Sequence, residues 1–218
     1  MPTRCGHHGC AQPGRETLAT LPNAITAVRT VASLVLGLAG IVQGSFTLLV
    51  WSIAVYWAGD FLDGEVARRT DRETRSGAIA DIICDRLNVA VAYLGLLMIY
   101  PDLWLPIGIF LLNFMAVDGV LSLAFLSWPL RSPNYFFLVD RRVWIWNWSR
   151  PAKGLNSWMI TAVTFGTKSV WISSIMAAAV LAIKIASIVR VNQLPRPDQS
   201  GCAVLTATAA PEPVPARP

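Results

Sequence analysis

Long apolar blocks, separated by short polar links, make up most of the chain. A membrane-spanning helix needs about 20 mostly apolar residues, and six blocks come close to that length. They cover residues 23–42, 45–62, 78–100 and 103–128, and two more share residues 155–189. The pattern predicts an all-α bundle of six transmembrane helices, in which the second helix continues past the membrane and the third is entered through two polar turns.

The fifth and sixth helices have little room, because residues 155–189 must hold two spans and a turn. A fifth helix that begins earlier, near Trp148, would relieve this shortage. We place the turn between the two helices near residues 166–169.

The two ends of the chain differ from its centre. We expect a flexible N-terminal tail over residues 1–20, a membrane domain over residues 21–191, and a disordered C-terminal tail, rich in Pro and Ala, over residues 192–218. The first residues lack a compact apolar stretch before a small-residue cleavage site. The first helix is therefore expected to be retained and not removed as a signal peptide.

Cysteine and histidine cluster near the N-terminus. Cys5, His7, His8 and Cys10 offer four ligands in a short segment, a set that could bind a transition metal. Their spacing matches no closed zinc site, and they precede the predicted fold. We therefore interpret the cluster as part of the flexible tail.

Composition supports the membrane assignment. Hydrophobic residues make up 54% of the chain and charged residues 14%, whereas soluble proteins carry roughly 25% charged residues. These values argue against a soluble enzyme and against a disordered chain. The net charge of +5 could indicate a nucleic-acid partner, but the basic residues lie between the apolar blocks, where they report orientation instead. We expect no nucleic-acid partner.

The distribution of Lys and Arg predicts which helix ends face the cytosol. Basic residues concentrate in both termini and in the links 63–76 and 129–153, whereas the other three links carry only Lys168. An even number of spans with both termini inside satisfies the positive-inside rule. We therefore predict a multi-pass protein of the cell membrane whose termini and two charged links are cytosolic.

Seven of the 13 acidic residues lie between residues 60 and 85, at the junction of the second and third predicted helices. Asp60 and Asp63 are spaced as on one face of a helix, and so are Asp81 and Asp85 on the next helix. A short polar link joins the two helices as an antiparallel hairpin, so these faces can meet. We expect four carboxylates to converge at the cytosolic edge of the membrane.

Four anions in one place need a counter-charge. Mg²⁺ and Mn²⁺ prefer oxygen ligands, and two such ions clamping a diphosphate would suit phosphoryl transfer. The sequence contains 2 histidines, which argues against zinc or non-haem iron. The alternative is a solvated hairpin of acids and bases at the membrane surface.

The junction also carries small residues on the same helical faces. Gly64, Ala67 and Gly77 leave space for a flat or bulky ligand to approach the backbone, and Arg68 offers a fork for phosphate. Together with the aspartates they fit the pattern DxxDGxxAR-x8-GxxxDxxxD. With this pattern the chain resembles the CDP-alcohol phosphatidyltransferase family.

A second string supports the resemblance. Residues 22–29, Pro-Asn-Ala-Ile-Thr-Ala-Val-Arg, are similar to the PNxLTxxR opening of the first helix in many bacterial members. Alternatively, the string marks only a helix start with Asn23 as its N-cap. The resemblance implies a six-helix membrane enzyme that forms a homodimer.

The resemblance also implies the chemistry. CDP-diacylglycerol is the expected donor, a small alcohol attacks the phosphorus that bears the lipid, and CMP leaves. Carried over by position, Asp60, Asp63, Asp81 and Asp85 hold the two metal ions, and Asp85 also accepts the proton of the acceptor hydroxyl. The residues expected to bind the CDP-lipid are Asn23, Thr26, Gly64, Ala67, Arg68 and Gly77.

The acceptor is expected to be glycerol 3-phosphate, with an inositol phosphate, phosphatidylglycerol or another alcohol as alternatives. Arg150 and Lys153 flank the start of the fifth helix and could bind an acceptor phosphate, although residues 131–153 could also form a lipid-facing basic loop. Relatives that make phosphatidylglycerophosphate or cardiolipin usually carry Arg-Glu on the fourth helix and Gly-Lys before the fifth. This chain has Val-Asp at 117–118 and Lys-Gly at 153–154, which leaves the acceptor open.

Asp118 lies deep in the predicted fourth helix. It could contact the acceptor, or it could form a buried pair with Arg29 or Lys184. Two other function classes compete with the enzyme. A membrane prenyltransferase would separate its Asp motifs by a much longer stretch, and the intact motif argues against a non-catalytic transporter or scaffold.

Overall fold

A computed structural model describes residues 9–11 and 16–196, and this part of the chain is all-α, without a β-strand. The helices are α1 (Leu21–Gln43), α2 (Phe46–Arg69), α3 (Arg75–Ile99), α4 (Trp104–Leu111), α5 (Asp118–Leu123), α6 (Arg141–Asn147), α7 (Arg150–Lys153), α8 (Ile160–Thr167) and α9 (Val170–Asn192). Leu112–Val117 and Gly154–Met159 are π-helical, and Pro101–Leu103, Ala124–Ser127 and Pro133–Leu138 form 3₁₀ turns.

Side-chain caps fix where the first three helices begin. The hydroxyl of Thr20 accepts a hydrogen bond from the backbone N–H of Asn23, and Ser45 and Thr74 cap α2 and α3 in the same way. Such hydroxyls are favoured there because the first amides of a helix have no partner in the helix itself. Asn23 therefore lies inside α1 and is not its N-cap.

Within the described residues, four helical stretches are long and apolar enough to cross a membrane. These are Leu21–Gln43, Arg75–Ile99, Pro101–Ser127 and Val170–Asn192. The second predicted span falls in α2, which is apolar at its start and charged in its second half. The fifth falls in the broken stretch formed by α7, a π-helical segment and α8. The fold is thus that of a membrane protein, with four of the six predicted spans supported by length and composition.

Three turns meet at one end of the bundle. The Lys168 Nζ lies 4.5 Å from the ring centre of Phe46 and 4.6 Å from that of Tyr100. Phe46 follows the turn between α1 and α2, Tyr100 ends α3, and Lys168 ends α8. We call this the turn end of the bundle.

The opposite end collects the charged links, and we call it the charged end. Arg190 near the end of α9 pairs with Asp140 at 2.7 Å, and Arg131 pairs with Asp71 in the link between α2 and α3 at 2.8 Å. The hydroxyl of Tyr135 donates to Glu73 of the same link at 2.6 Å. Residues 128–149 are therefore fastened both to the α2–α3 link and to α9.

Two hydrophobic clusters fill the bundle between these ends. The larger one includes Leu49, Tyr93, Leu96, Phe110, Ile160 and Phe165. The second lies at the charged end and includes Phe125, Leu130, Phe136, Val143 and Trp148. The second cluster gives residues 128–149 a packed interior, so this segment is not a loose basic loop.

The turn between the last two helices lies where the sequence predicts it. α8 ends at Thr167 and α9 begins at Val170, with Ser169 as its N-cap. Lys168 takes a left-handed conformation with φ 53°, which is uncommon for a residue with a side chain. The helical stretch that corresponds to the predicted fifth helix begins at Arg150, close to the predicted early start.

Part of the N-terminal segment is held on the body of the protein. The Ala11 N–H donates to the carbonyl of Pro129, and the Arg131 N–H donates to that of Gly9, each at 3.0 Å. Cys10, between them, is buried. Cys5, His7 and His8 lie outside the described residues, as do residues 197–218, and the two flexible tails stay predictions.

Candidate active site

The four predicted aspartates come together at the charged end of the bundle. Asp60 and Asp63 project from α2, and Asp81 and Asp85 project from α3. One oxygen each from Asp60, Asp63 and Asp81 lies within 4.8 Å of the others. Three carboxylate oxygens this close are a donor set that suits a hard divalent cation. The residues present therefore fit Mg²⁺ or Mn²⁺.

Arg29 of α1 lies among all four carboxylates. Its Nε donates to Asp63 Oδ2 at 2.8 Å, and its Nη2 donates to Asp85 Oδ1 at 2.9 Å and also to Asp81. The same Nη2 is 3.7 Å from Asp60 Oδ1. The side chain of Arg29 is only 3% exposed, so this guanidinium is an internal counter-charge.

Two further residues of α1 contribute to the cluster. The hydroxyl of Thr26 donates to Asp63 Oδ2 at 2.7 Å, which adds to the bond from Arg29. Asn23 lies against Gly77, because a Cβ on Gly77 would come within 2.7 Å of the Asn23 Oδ1 and 2.8 Å of the Thr74 Oγ1. Gly77 thus permits the close approach of α1 to α3 beside the cluster.

One cavity connects the aspartates with most of the other predicted site residues. It is lined by the four aspartates and by Asn23, Thr26, Gly64, Ala67, Arg68 and Gly77, which are the residues predicted to bind the CDP-lipid. Of the predicted acceptor residues, Lys153 and Asp118 also line it. Arg150 is exposed at the start of α7 and does not belong to the lining.

Asp118 belongs to a buried ionic group beside the aspartate cluster. It accepts hydrogen bonds from Arg86 at 3.0 Å and from Ser122 at 3.2 Å, and it pairs with Lys184 at 2.7 Å. The pair with Lys184, which the sequence left open as an alternative to an acceptor role, is present, whereas Arg29 binds the four aspartates instead. Two cations and one anion leave this group with one net positive charge.

The π-helical segment Leu112–Val117 leads directly into Asp118. Asn113 and Phe114 of this segment line the cavity, and Asn113 is buried. The Arg86 guanidinium lies 5.2 Å from the centre of the Phe114 ring. π-Helical turns occur frequently at functional sites, and this one brings its side chains to the same cavity as the aspartates.

The rim of the cavity carries an exposed ionic group on α2. Arg68 and Arg69 donate to Glu65 at 3.0 and 2.7 Å, and these hydrogen bonds lower the pKa of the Glu65 carboxyl. The Arg68 side chain is 49% exposed. It can therefore turn from Glu65 toward a phosphate in the cavity.

Sequence reasoning assigned no site role to Arg29, Arg86 or Lys184. A signal for Arg29 was present, since Asn23, Thr26 and Arg29 share one face of an apolar helix and a charged group in such a helix needs a partner. Arg86 and Lys184 are single charges in apolar stretches. Only the packing of α3, α5 and α9 shows that they meet at Asp118.

Comparison with known proteins gives two kinds of match. A family model described as CDP-alcohol phosphatidyltransferase matches residues 19–133. A "Probable cardiolipin synthase (CMP-forming)" of Drosophila melanogaster is 37% identical over 90 residues, which are 41% of this chain and 27% of the relative. A "CDP-diacylglycerol--glycerol-3-phosphate 3-phosphatidyltransferase" of Pseudomonas fluorescens is 33% identical over 89 residues, which are 40% of this chain and 46% of the relative.

The chain thus spans less than half the length of these curated relatives. No solved structure matches it significantly. The family match covers α1 to α5 and therefore contains the four aspartates, Arg29 and Asp118.

Proposed function

Because the chain belongs to the CDP-alcohol phosphatidyltransferase family, we propose that it transfers a phosphatidyl group from CDP-diacylglycerol to a small alcohol and releases CMP. The observation that carries this proposal is the convergence of Asp60, Asp63, Asp81 and Asp85 on one cavity. The cavity also contains the small residues and the arginine of the sequence pattern. The protein is then a phospholipid-synthesis enzyme that works on membrane lipid.

Asp60, Asp63 and Asp81 would hold divalent cations, whose charge would offset that of the carboxylates and of the donor's diphosphate. The four aspartates together offer enough oxygens for two such ions. Thr26 and Arg29 hold the Asp63 carboxylate in place from α1. Asp85 lies outside the group of three oxygens and is the residue proposed to accept the proton of the attacking hydroxyl.

For the acceptor we propose glycerol 3-phosphate. Arg86 and Lys184, buried beside the aspartates, carry one more charge than Asp118 compensates, and Lys153 adds another cation to the lining. Such a surplus favours an acceptor that brings its own negative charge. Asp118 then serves to orient Arg86 and Lys184 beside the acceptor.

We further propose six spans, with both termini and the site at the cytosolic face of the cell membrane. The division of the bundle supports this arrangement, because Lys168 joins three turns at one end while Arg131 and Arg190 hold the charged links at the other. The positive-inside rule then places the charged end in the cytosol. Homodimerisation is proposed from the family resemblance.

The test is a CMP-release assay on the purified protein with CDP-diacylglycerol, Mg²⁺ and a panel of acceptors. The panel contains glycerol 3-phosphate, inositol phosphate, phosphatidylglycerol and a buffer blank. CMP release with glycerol 3-phosphate alone supports the proposal. Release with a different acceptor corrects the acceptor, and the absence of release with any of them refutes the enzymatic activity.

A further inference from the structure

The charge balance of the carboxylate cluster is incomplete. Asp60, Asp63, Asp81 and Asp85 bring four carboxylates together, and Arg29 contributes one positive charge to them. The side chains of Arg29 and Asp63 are almost fully removed from solvent, whereas those of Asp60 and Asp81 are 34% and 37% exposed, so water screens the cluster only in part. The cluster therefore holds up to three uncompensated negative charges when no other cation is bound.

Arg29 uses two nitrogens for two different tasks. The Nε donates to Asp63 at 2.8 Å, on an oxygen that Thr26 also contacts. The Nη2 reaches the remaining aspartates, at 2.9 Å for Asp85 and 3.7 Å for Asp60, and it also donates to Asp81. Nη2 thus lies against two of the three carboxylates whose oxygens fit a divalent cation.

The third nitrogen shows that the guanidinium is not completely engaged. Among the described residues, the buried Nη1 of Arg29 has no hydrogen-bond partner. The guanidinium carbon lies 5.3 Å from the centre of the Tyr56 ring, whose face can hold a cation without a hydrogen bond. Arg29 can therefore loosen its hold on three aspartates without becoming an isolated buried charge.

We propose that Arg29 is a built-in counter-ion which a divalent cation displaces from Asp60, Asp81 and Asp85, while its Nε stays on Asp63. This inference rests on the divalent site of the proposed function and extends it to a residue outside the aspartate motif. Arg29 then stabilises the cluster in the ion-free protein and competes with the ion for the same oxygens. A permanently bound arginine would stabilise the protein equally with and without the ion.

The experiment compares the wild type with Arg29→Gln, using Mn²⁺ alone as the probe. Mn²⁺ affinity is measured by the loss of the free-ion paramagnetic resonance signal, and thermal unfolding is recorded in EDTA and in Mn²⁺. We expect Arg29→Gln to bind Mn²⁺ at least about tenfold more tightly. In the wild type the ion must break at least one charge-assisted hydrogen bond of Arg29, and in the variant that bond is absent. It should also melt lower than the wild type in EDTA and gain more on addition of Mn²⁺.

Arg131→Gln is the matched control. Arg131 is another buried arginine that pairs with an aspartate, but it lies outside the cluster. Its loss should lower the melting temperature by the same amount in EDTA and in Mn²⁺, and it should leave Mn²⁺ affinity unchanged.

Equal or weaker Mn²⁺ binding by Arg29→Gln overturns the inference. If folded Arg29→Gln protein is obtained neither in EDTA nor in Mn²⁺, the Mn²⁺ affinity of Arg29→Lys is measured instead. The single ammonium of Lys keeps the charge but cannot bridge Asp63 and the other three aspartates together. Tighter Mn²⁺ binding by this variant supports displacement, and equal or weaker binding refutes it. A wild type that binds no Mn²⁺ refutes the divalent site itself, which separates failure of the proposed function from failure of this inference.

Discussion

Asp85 differs from the other three aspartates in its place within the cluster. Oxygens of Asp60, Asp63 and Asp81 lie within 4.8 Å of one another, and Asp85 is not part of that group. It remains in contact with the cluster through the Nη2 of Arg29. This geometry agrees with a separate task for Asp85 at the acceptor hydroxyl.

Asparagine substitutions should separate the two tasks. Asp→Asn at position 60, 63 or 81 weakens ion binding, so the lost rate should be partly restored by raising Mg²⁺. At Asp85 the missing group is a base, typically worth about 10²–10⁴-fold, and extra Mg²⁺ should not help. CMP release across a Mg²⁺ titration measures this. Near-full recovery of Asp85→Asn at high Mg²⁺ would make Asp85 a ligand only.

The two basic residues predicted to bind the acceptor, Arg150 and Lys153, differ in their position relative to the cavity. Lys153 lines the cavity and donates to Asn134 at 2.7 Å, whereas Arg150 lies outside the lining. Lys153→Ala should raise the acceptor KM about 10- to 150-fold, since a charge-assisted hydrogen bond is worth roughly 1.5–3 kcal/mol. Arg150→Ala should change it little, and the KM for CDP-diacylglycerol serves as the internal reference. An equal rise of the KM for CDP-diacylglycerol would mean that Lys153 acts on the lipid surface instead.

The aspartates of the site could be predicted from sequence because their spacing fixes one helical face and their link is short. Their counter-ion could not be chosen in the same way. Arg29 lies 31 positions before Asp60 in a different helix, and the local pattern does not say which of several basic residues will pack there. The same holds for Arg86 and Lys184 around Asp118, since both depend on how three helices meet.

At the scale of elements, the contact between α1 and α3 depends on Gly77. A Cβ there would press on Asn23 and on Thr74, whose hydroxyl caps α3. Gly77→Ala should therefore destabilise the protein by about 1–3 kcal/mol, the usual cost of overpacking, despite the better helix propensity of Ala.

Gly108 in α4 is the matched control, because a Cβ there would meet no heavy atom within 4 Å. Gly108→Ala should leave the melting temperature unchanged or raise it, since Ala is favoured over Gly inside a helix by roughly 0.5–1 kcal/mol. Thermal unfolding in detergent measures both variants. A Gly77→Ala protein as stable as Gly108→Ala would show that α1 and α3 are not closely packed.

Asp140 joins two elements, since it caps α6 and pairs with Arg190 of α9. Burial alone would raise the pKa of its carboxyl, but hydrogen bonds from Arg190 and from the Val143 N–H outweigh burial and lower it. The charge therefore stabilises the fold above the unfolded-state pKa of about 3.9. This contribution is lost as the pH falls through the lowered folded-state pKa.

Asp140→Asn tests this, because Asn preserves the cap and removes the charge. A partly exposed pair is worth up to about 1 kcal/mol, or about 2–4 °C for a chain of this size. The wild type should melt higher by this amount at pH 7, and the difference should shrink below about pH 4. A difference that stays constant down to pH 3 would show that the charge is not responsible.

The long helices could be predicted with nearly correct ends. Apolar runs of sufficient length set α1, α3 and α9, and hydroxyl caps at Thr20, Thr74 and Ser169 set where they begin. The π-helical segments could not be predicted. Each covers 6 residues, which is too short a stretch for the spacing of apolar residues to reveal the wider turn.

At the scale of the whole molecule, the proposed topology predicts that the charged end faces the cytosol and the turn end faces the outside of the cell. A reporter fused after Val191 should be cytosolic, and a cysteine replacing Lys168 in a cysteine-free background should react with an impermeant thiol reagent added from outside. The charged end and the turn end then lie on opposite sides of the membrane. Labelling of position 168 only after the cells are opened would contradict six spans.

The π-helical segment Leu112–Val117 also makes the fourth pass tolerant of the loss of one residue at this place. Removing one residue there would let the segment relax into an ordinary α-helix, and each residue of such a helix turns the chain by about 100°. Because a π-helical turn holds one residue more than an α-helical turn, the deletion would be absorbed there, and Asp118 would keep its direction toward Arg86 and Lys184. The same deletion in the regular helix α4 would instead rotate Asp118 away from Arg86 and Lys184 by about 100°, so the effect of losing one residue depends on where in the pass it is lost.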